Sequence, residues 1–232
     1  MHRVDLTPVY VLHTRPFRNT SLIVELFSQV YGRVAVIAKS ARGPKSRYRG
    51  QLQLFTPMLA AWFGNHELKT LMQIELNGMP LQLNQKPLFC GFYFNELLMR
   101  LLHKEDPHPK LFETYHQSLC RLEKNDAMPV VLRLFEKKLL EDLGYGLPLM
   151  REAKTNAVIH TDFFYEFIPQ QGFFLVDHTQ DEKHIFSGRI LKNISQDDFQ
   201  DTLTQASAKR LMRLALIPLL GEKPLHSRAL FY

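Results

Sequence analysis

Five cations, Lys39, Arg42, Lys45, Arg47 and Arg49, fall within eleven consecutive residues that contain no acid. They sit in the run Lys39-Ser40-Ala41-Arg42-Gly43-Pro44-Lys45-Ser46-Arg47-Tyr48-Arg49-Gly50, which Gly43, Pro44 and Gly50 mark as a loop. Small residues let a backbone approach phosphates closely, and Lys and Arg displace the counterions condensed on a polyanion. Arg33, on the segment leading into the loop, joins the same contact set. Tyr48 inside the run, with Phe55 or Trp62 nearby, offers a ring face on which an unpaired base can stack. The competing readings are a solvated cationic loop, a contact with an anionic membrane surface, and, for Trp62, a place in the core.

Other chemistry is poorly represented. Gly43-Pro44-Lys45-Ser46 lacks the leading glycine and the strand-to-helix setting of a phosphate-binding loop. There is no His-Glu-x-x-His, Gly-x-Ser-x-Gly or Cys-x-x-Cys. His160, His178 and His184 with Asp177 and Asp181 can be drawn as a metal cluster, but their spacing is not that of a zinc site. The carboxylates are scattered, so no acid–base pair stands out. The expectation is a binding protein, with no enzyme activity, no cofactor and no metal. Arg133, one turn before Lys137 and beside Leu134 and Phe135, forms a cationic rim suited to an acidic peptide end.

The charge distribution supports a polyanionic partner. The 232-residue chain carries a net charge of +6. Residues 1–80 hold ten Lys or Arg against four acids, and residues 81–232 hold nineteen of each sign. All the excess is therefore in the first third. No apolar run approaches the length of a membrane helix or a signal peptide, and the two cysteines, Cys90 and Cys120, are too few for a disulfide framework. A soluble cytoplasmic protein without membrane association is expected.

The elements that must position these residues follow from periodicity. Val9–Leu12, Ser21–Phe27, Arg33–Lys39, Phe55–Phe63 and Leu68–Leu76 predict five short strands. That count suits a small barrel such as an OB-fold over residues 1–80. Residues 81–146 predict a helical domain: an apolar helix after Pro87, an amphipathic one carrying Leu111, Phe112, Tyr115, Leu119 and Leu122, and a third after Pro129 ending at Gly144-Tyr145-Gly146. In 147–192, Pro169-Gln170-Gln171-Gly172 between two aromatic runs predicts a β-hairpin. In 193–232, Ser195 with Asp198 predicts a helix cap, and a last helix spans about 206–216. The fold class is α+β and multidomain.

The order of segments resembles the RecO family of bacterial recombination mediators over nearly the whole chain. The likeness rests on Val11-Leu12-His13-Thr14-Arg15-Pro16 with Thr20-Ser21-Leu22, Gly32-Arg33-Val34, and Ala38-Lys39-Ser40-Ala41-Arg42. It continues through Leu54-Phe55-Thr56-Pro57, Tyr93-Phe94-Asn95-Glu96-Leu97, Leu132-Arg133-Leu134-Phe135-Glu136 and Leu143-Gly144-Tyr145-Gly146 to Gly221-Glu222-Lys223-Pro224-Leu225-His226-Ser227-Arg228. The resemblance implies an N-terminal OB-fold, a helical domain and a zinc-finger-like region. That region lacks cysteine here, so its hairpin must be held by Phe163, Phe164, Phe167, Phe173 and Phe174. It further implies binding of single- and double-stranded DNA, annealing of complementary strands, action with RecR in loading RecA, and docking of the C-terminal tail of single-stranded DNA-binding protein, with Arg133 and Phe135 at the tail site. An RNA-binding accessory protein is the second reading, because OB-folds serve both polymers.

Overall fold

A computed structural model describes residues 3–177 and 183–231. By compactness it divides into two units, one of residues 1–126 together with 225–232 and one of residues 127–224. The barrel segment and the first two helices of the expected helical domain thus share a unit, whereas the third helix falls in the other.

In the first unit, strands β1 (Arg3–Phe17), β2 (Ser21–Ser28), β3 (Gly32–Ala38), β4 (Met58–Phe63) and β5 (Leu68–Leu76) close into a barrel ordered β1-β2-β3-β5-β4. All neighbours are antiparallel except β3 and β5. This is the expected five-stranded OB-fold. Alternate residues fill the interior: Val9, Val11, Val24, Leu26, Val34, Val36, Met58, Ala60, Trp62 and Leu71 are all buried there. Trp62 is a core residue, with its ring edge-on to Tyr31. β1 is much longer than the four-residue run that announces it. Its register shifts near Val4 and again near Val11 let one strand pair first with β4 and then with β2. β4 is shorter than expected, because Phe55 has a left-handed backbone and its ring packs against α1.

The outer face of β1 and β2 is covered as well. Tyr10 and Phe27 meet Phe112 and Tyr115 of α2 (Pro109–Glu123), with ring centroids 5.0–6.1 Å apart. Burial on both faces is why Val9–Leu12 reads as an unbroken apolar run. In α1 (Lys86–Leu101), the buried Asn95 donates from Nδ2 to the Leu12 carbonyl at 2.9 Å. Its Oδ1 accepts from the Tyr115 hydroxyl at 2.6 Å. One amide thus joins β1, α1 and α2.

The final 3-10 turn, His226–Phe231, belongs to the same unit. The Glu96 carboxylate accepts from the His226 and Ser227 amides and from the Ser227 hydroxyl, at 2.6–2.8 Å. Burial opposes ionisation of Glu96, but these hydrogen bonds prevail and hold its carboxyl below the usual range.

In the second unit, α3 (Met128–Asp142), α4 (Gly188–Ser195) and α5 (Thr202–Leu220) accompany a three-stranded antiparallel sheet ordered β7-β6-β8. Its strands are β6 (Phe164–Ile168), β7 (Gly172–Val176) and β8 (Ile185–Ser187). The expected hairpin is β6–β7, but its aromatic support is differently composed. Phe167, Phe173, Tyr165 and Phe186 are buried, whereas Phe163 and Phe164 are 50% and 46% exposed. Ser195 is not a helix N-cap: it ends α4, and its hydroxyl donates to the Lys192 carbonyl. The caps are Ser187 for α4 and Asp201 for α5, the latter accepting from the Thr204 amide at 2.7 Å. Among the described residues no helix is long and apolar enough to cross a membrane.

Two outcomes test this architecture. Gly32 has φ +64°, and a Cβ there would lie 1.9 Å from the Asp106 carbonyl oxygen. Gly32→Ala is expected to cost ~3 kcal/mol or more in urea unfolding, since neither backbone can yield cheaply. Because the Glu96 pKa is lowered on folding, its contribution is complete above the ordinary glutamate range and is lost as pH falls through the lowered folded value. Amide exchange in residues 225–230, taken relative to the intrinsic rate at each pH, should therefore lose protection on acidification. In Glu96→Gln it should be fast already at neutral pH; protection equal to wild type there would refute the clasp.

Candidate nucleic-acid interface

After β3 the chain begins no strand. Successive turns carry it forward, with the amides of Gly43, Ser46, Arg49 and Gln51 donating to the carbonyls of Ser40, Gly43, Ser46 and Tyr48. Tyr48 pins this path to the barrel. It is 3% exposed, lies in the barrel core, and donates its hydroxyl to the Leu71 carbonyl at 3.1 Å. Arg47 donates to the same hydroxyl at 2.6 Å and holds its guanidinium 4.8 Å from the ring centroid. The expected role of Tyr48 as a stacking platform is therefore corrected: an anchored, covered ring offers no face to a base. Phe55, also buried, is no platform either.

Anchoring at Tyr48 leaves Lys39, Lys45, Arg47 and Arg49 exposed. Arg42 behaves differently. Its guanidinium donates to three carbonyls of the β1–β2 turn: Arg18 at 2.5 Å, Asn19 at 2.9 Å and Ser21 at 3.2 Å. Its amide donates to the Thr20 carbonyl at 2.7 Å. Arg33 also departs from expectation. Half-buried, it donates to the Met99 carbonyl at 2.8 Å and approaches Glu25 at 4.0 Å, so it serves the packing of α1 rather than the loop.

Two residues absent from the sequence-based site enter here. Arg15 and Arg18 are exposed on β1 and on the turn that Arg42 holds, and the Arg18 guanidinium lies 5.2 Å from the Phe17 ring centroid. The signal was available: a β1–β2 hairpin with a three-residue turn brings cations around Arg18 to the end of β3, where the loop starts.

Ion pairing separates the cations of the barrel segment into two classes. Lys69 pairs with Glu105, Lys104 with Glu67, and Arg33 lies beside Glu25. The hydrogen bond and charge of Lys104 hold the exposed Glu67 carboxyl below the usual range. Among the described residues, Arg15, Arg18, Lys39, Arg42, Lys45, Arg47 and Arg49 pair with no carboxylate. Within the barrel segment, residues 1–80, the uncompensated charge is therefore concentrated on the loop and the adjoining turn.

The second expected site is altered more. Phe135 has no exposed surface and is a core residue of α3, which removes it from any open slot. Arg133 is 7% exposed, and its Nη2 donates to the buried Glu136 carboxylate at 2.8 Å. A pair of this kind is costly to break from one side. His160 lies against Phe163, and the His184 carbonyl accepts from the Phe167 amide. His178 and Asp181 lie outside the described residues, and no group of potential metal ligands occurs among the described ones.

The Tyr48 assignment is directly testable. Tyr48→Phe is expected to keep DNA affinity, whereas Tyr48→Ala should lose roughly 3–5 kcal/mol of stability, as for other large aromatic truncations. A stable Tyr48→Ala protein with weakened DNA binding would restore the stacking role.

Comparison with known proteins bears on the whole chain. Residues 1–79 match the family model "Recombination protein O N terminal", and residues 86–228 match "Recombination protein O C terminal". The DNA repair protein RecO of Coxiella burnetii (strain RSA 493 / Nine Mile phase I) is 46% identical over 230 residues, covering 99% of each chain. That of Dechloromonas aromatica is 44% identical over 233 residues, covering 99% of this chain and 96% of its own. That of Azoarcus is 40% identical over 229 residues, covering 97% and 94%. An N-terminal OB barrel with its uncompensated cations, followed by a match through both halves of the family, leads to one conclusion: this chain belongs to the RecO family of DNA repair and recombination proteins.

Proposed function

We propose that the chain is a recombination mediator that acts by binding rather than by catalysis. In this reading the barrel segment, residues 1–80, holds single- and double-stranded DNA by its phosphates. Neutralising two strands on one cationic surface lowers their mutual repulsion, and annealing of complementary strands follows from that screening. The single observation that carries the reading is the set of outward cations without carboxylate partners, Lys39, Lys45, Arg47 and Arg49, fixed in place by the buried Tyr48.

The finer assignments rest on family membership. Together with RecR the chain would help load RecA onto DNA coated by single-stranded DNA-binding protein, and residues 81–146 would receive the acidic tail of that coating protein. Arg133 remains the cation proposed for the tail. Its Nη2 would have to stay with Glu136, whose carboxylate would otherwise be left buried and unpaired, so the incoming carboxylate would be met by the remaining N–H groups of the guanidinium.

The experiment is a pair of titrations on one variant. Lys45, Arg47 and Arg49 replaced together by Ala should flatten the dependence of log affinity for duplex DNA on log salt by about 2–3, as expected for three lost phosphate contacts. The same variant should bind the coating protein's tail peptide as wild type does. An unchanged salt slope removes the loop from the DNA site, and tighter binding of matched RNA than of DNA would favour an RNA-binding role instead.

A further inference from the structure

Arg42 carries the charge of a phosphate ligand but spends its donors elsewhere. A guanidinium has five N–H groups in a fixed fork. Here the fork is directed at the carbonyls of Arg18, Asn19 and Ser21, while the Arg42 amide holds the Thr20 carbonyl. Every residue of the β1–β2 turn from Arg18 to Ser21 is thereby tied to the basic loop.

The turn that is held carries cations of its own. Arg18 lies at its first position, restrained by contact with the Phe17 ring, and Arg15 lies three residues earlier. In register, Arg15 stands opposite Ile23, and Ile23 opposite Ile37, two residues before Lys39. Two inter-strand steps of ~4.8 Å place the backbones of β1 and β3 about 10 Å apart. That distance spans about three phosphates of one strand, at ~3.4 Å of axis per charge.

From this we infer that the phosphate track continues from the loop onto the β1–β2 turn, with Arg15 and Arg18 as phosphate contacts and Arg42 as a positioning residue that holds the turn against the loop. The inference rests on the DNA-binding reading above and adds residues and roles to it. Loop and turn then form one rigid cationic strip, and the charge of Arg42 contributes less than the geometry of its fork. Lysine cannot reproduce that geometry, since a single ammonium cannot span three carbonyls in a plane.

The test compares charge with geometry by measuring salt-dependent binding of a labelled single-stranded oligodeoxynucleotide by fluorescence anisotropy, with thermal unfolding recorded for each variant. Arg18→Ala should unfold like wild type and reduce the salt slope by about one, which is about a tenfold loss of affinity near 0.1 M salt. Arg42→Lys keeps the net charge, yet it should lose affinity at least as severely as Arg18→Ala. Combining the two changes should cost little beyond Arg42→Lys alone, because both remove the same contact. A wild-type slope in Arg18→Ala would overturn the proposal even if Arg42→Lys were too unstable to measure. A wild-type slope in Arg42→Lys, or full additivity of the two, would overturn the positioning role. A slope that stays normal in both single variants but is flattened in the Lys45/Arg47/Arg49 variant defeats this inference alone. A wild-type chain without salt-dependent DNA binding defeats it together with the DNA-binding reading.

Discussion

The first unit depends on one buried amide. Asn95 sits in the middle of an apolar helix, where a leucine would pack more easily, and uses both ends of its side chain. It takes the carbonyl of Leu12 from a strand whose ladder is interrupted there by a register shift, and it receives the hydroxyl of Tyr115 from the next helix. A bulge leaves a backbone group without its ladder partner, and an orphaned buried carbonyl costs roughly 1–3 kcal/mol. The amide satisfies that group and fixes the distance at which the helices meet the barrel. The bend it accommodates lets β1 serve both β4 and β2, so barrel closure and helix docking are one problem with one solution.

The electrostatic design follows from that scaffold. Where α1 and the segment after it meet β3 and β5, each cation of the barrel has an acid within reach, and the charges serve packing. At the loop after β3 and the turn after β1 no acid is present, and the same residue types face water with their charge uncompensated. Net charge alone does not distinguish these two populations; the pairing of each cation does.

Much of this was legible in the sequence. Alternation and turn residues announced all five barrel strands, and helical spacing announced α1, α2 and α3. The β6–β7 hairpin followed from two aromatic runs around Pro169 and Gly172. What periodicity could not supply were contacts between distant segments. Tyr48 looked like a ring on a solvated loop because nothing local says that the loop folds back and inserts it into the barrel. Arg33 looked like part of a basic run because its partners, Met99 and Glu25, come from other elements. Arg133 and Phe135 stand two residues apart in sequence, but the helix buries both and pairs the former with Glu136. The grouping of α3 with α4 and α5 was hidden for the same reason, since loop length and composition do not reveal which core a helix joins. Ser195 misled because a Ser-x-x-Asp pattern resembles a start signal, whereas the chain uses Ser187 and Asp201.

The Glu96 clasp has a consequence for the order in which the protein is made. A polypeptide leaves the ribosome from its N-terminus, and domains tend to fold as units while synthesis proceeds. The barrel and its two helices emerge early, but the segment that Glu96 holds emerges only after the whole second unit has been translated. During that interval the carboxylate of Glu96 has only water to satisfy it. Residues 225–231 thus complete a unit begun by the barrel, which makes maturation of the first unit contingent on translation reaching beyond the second.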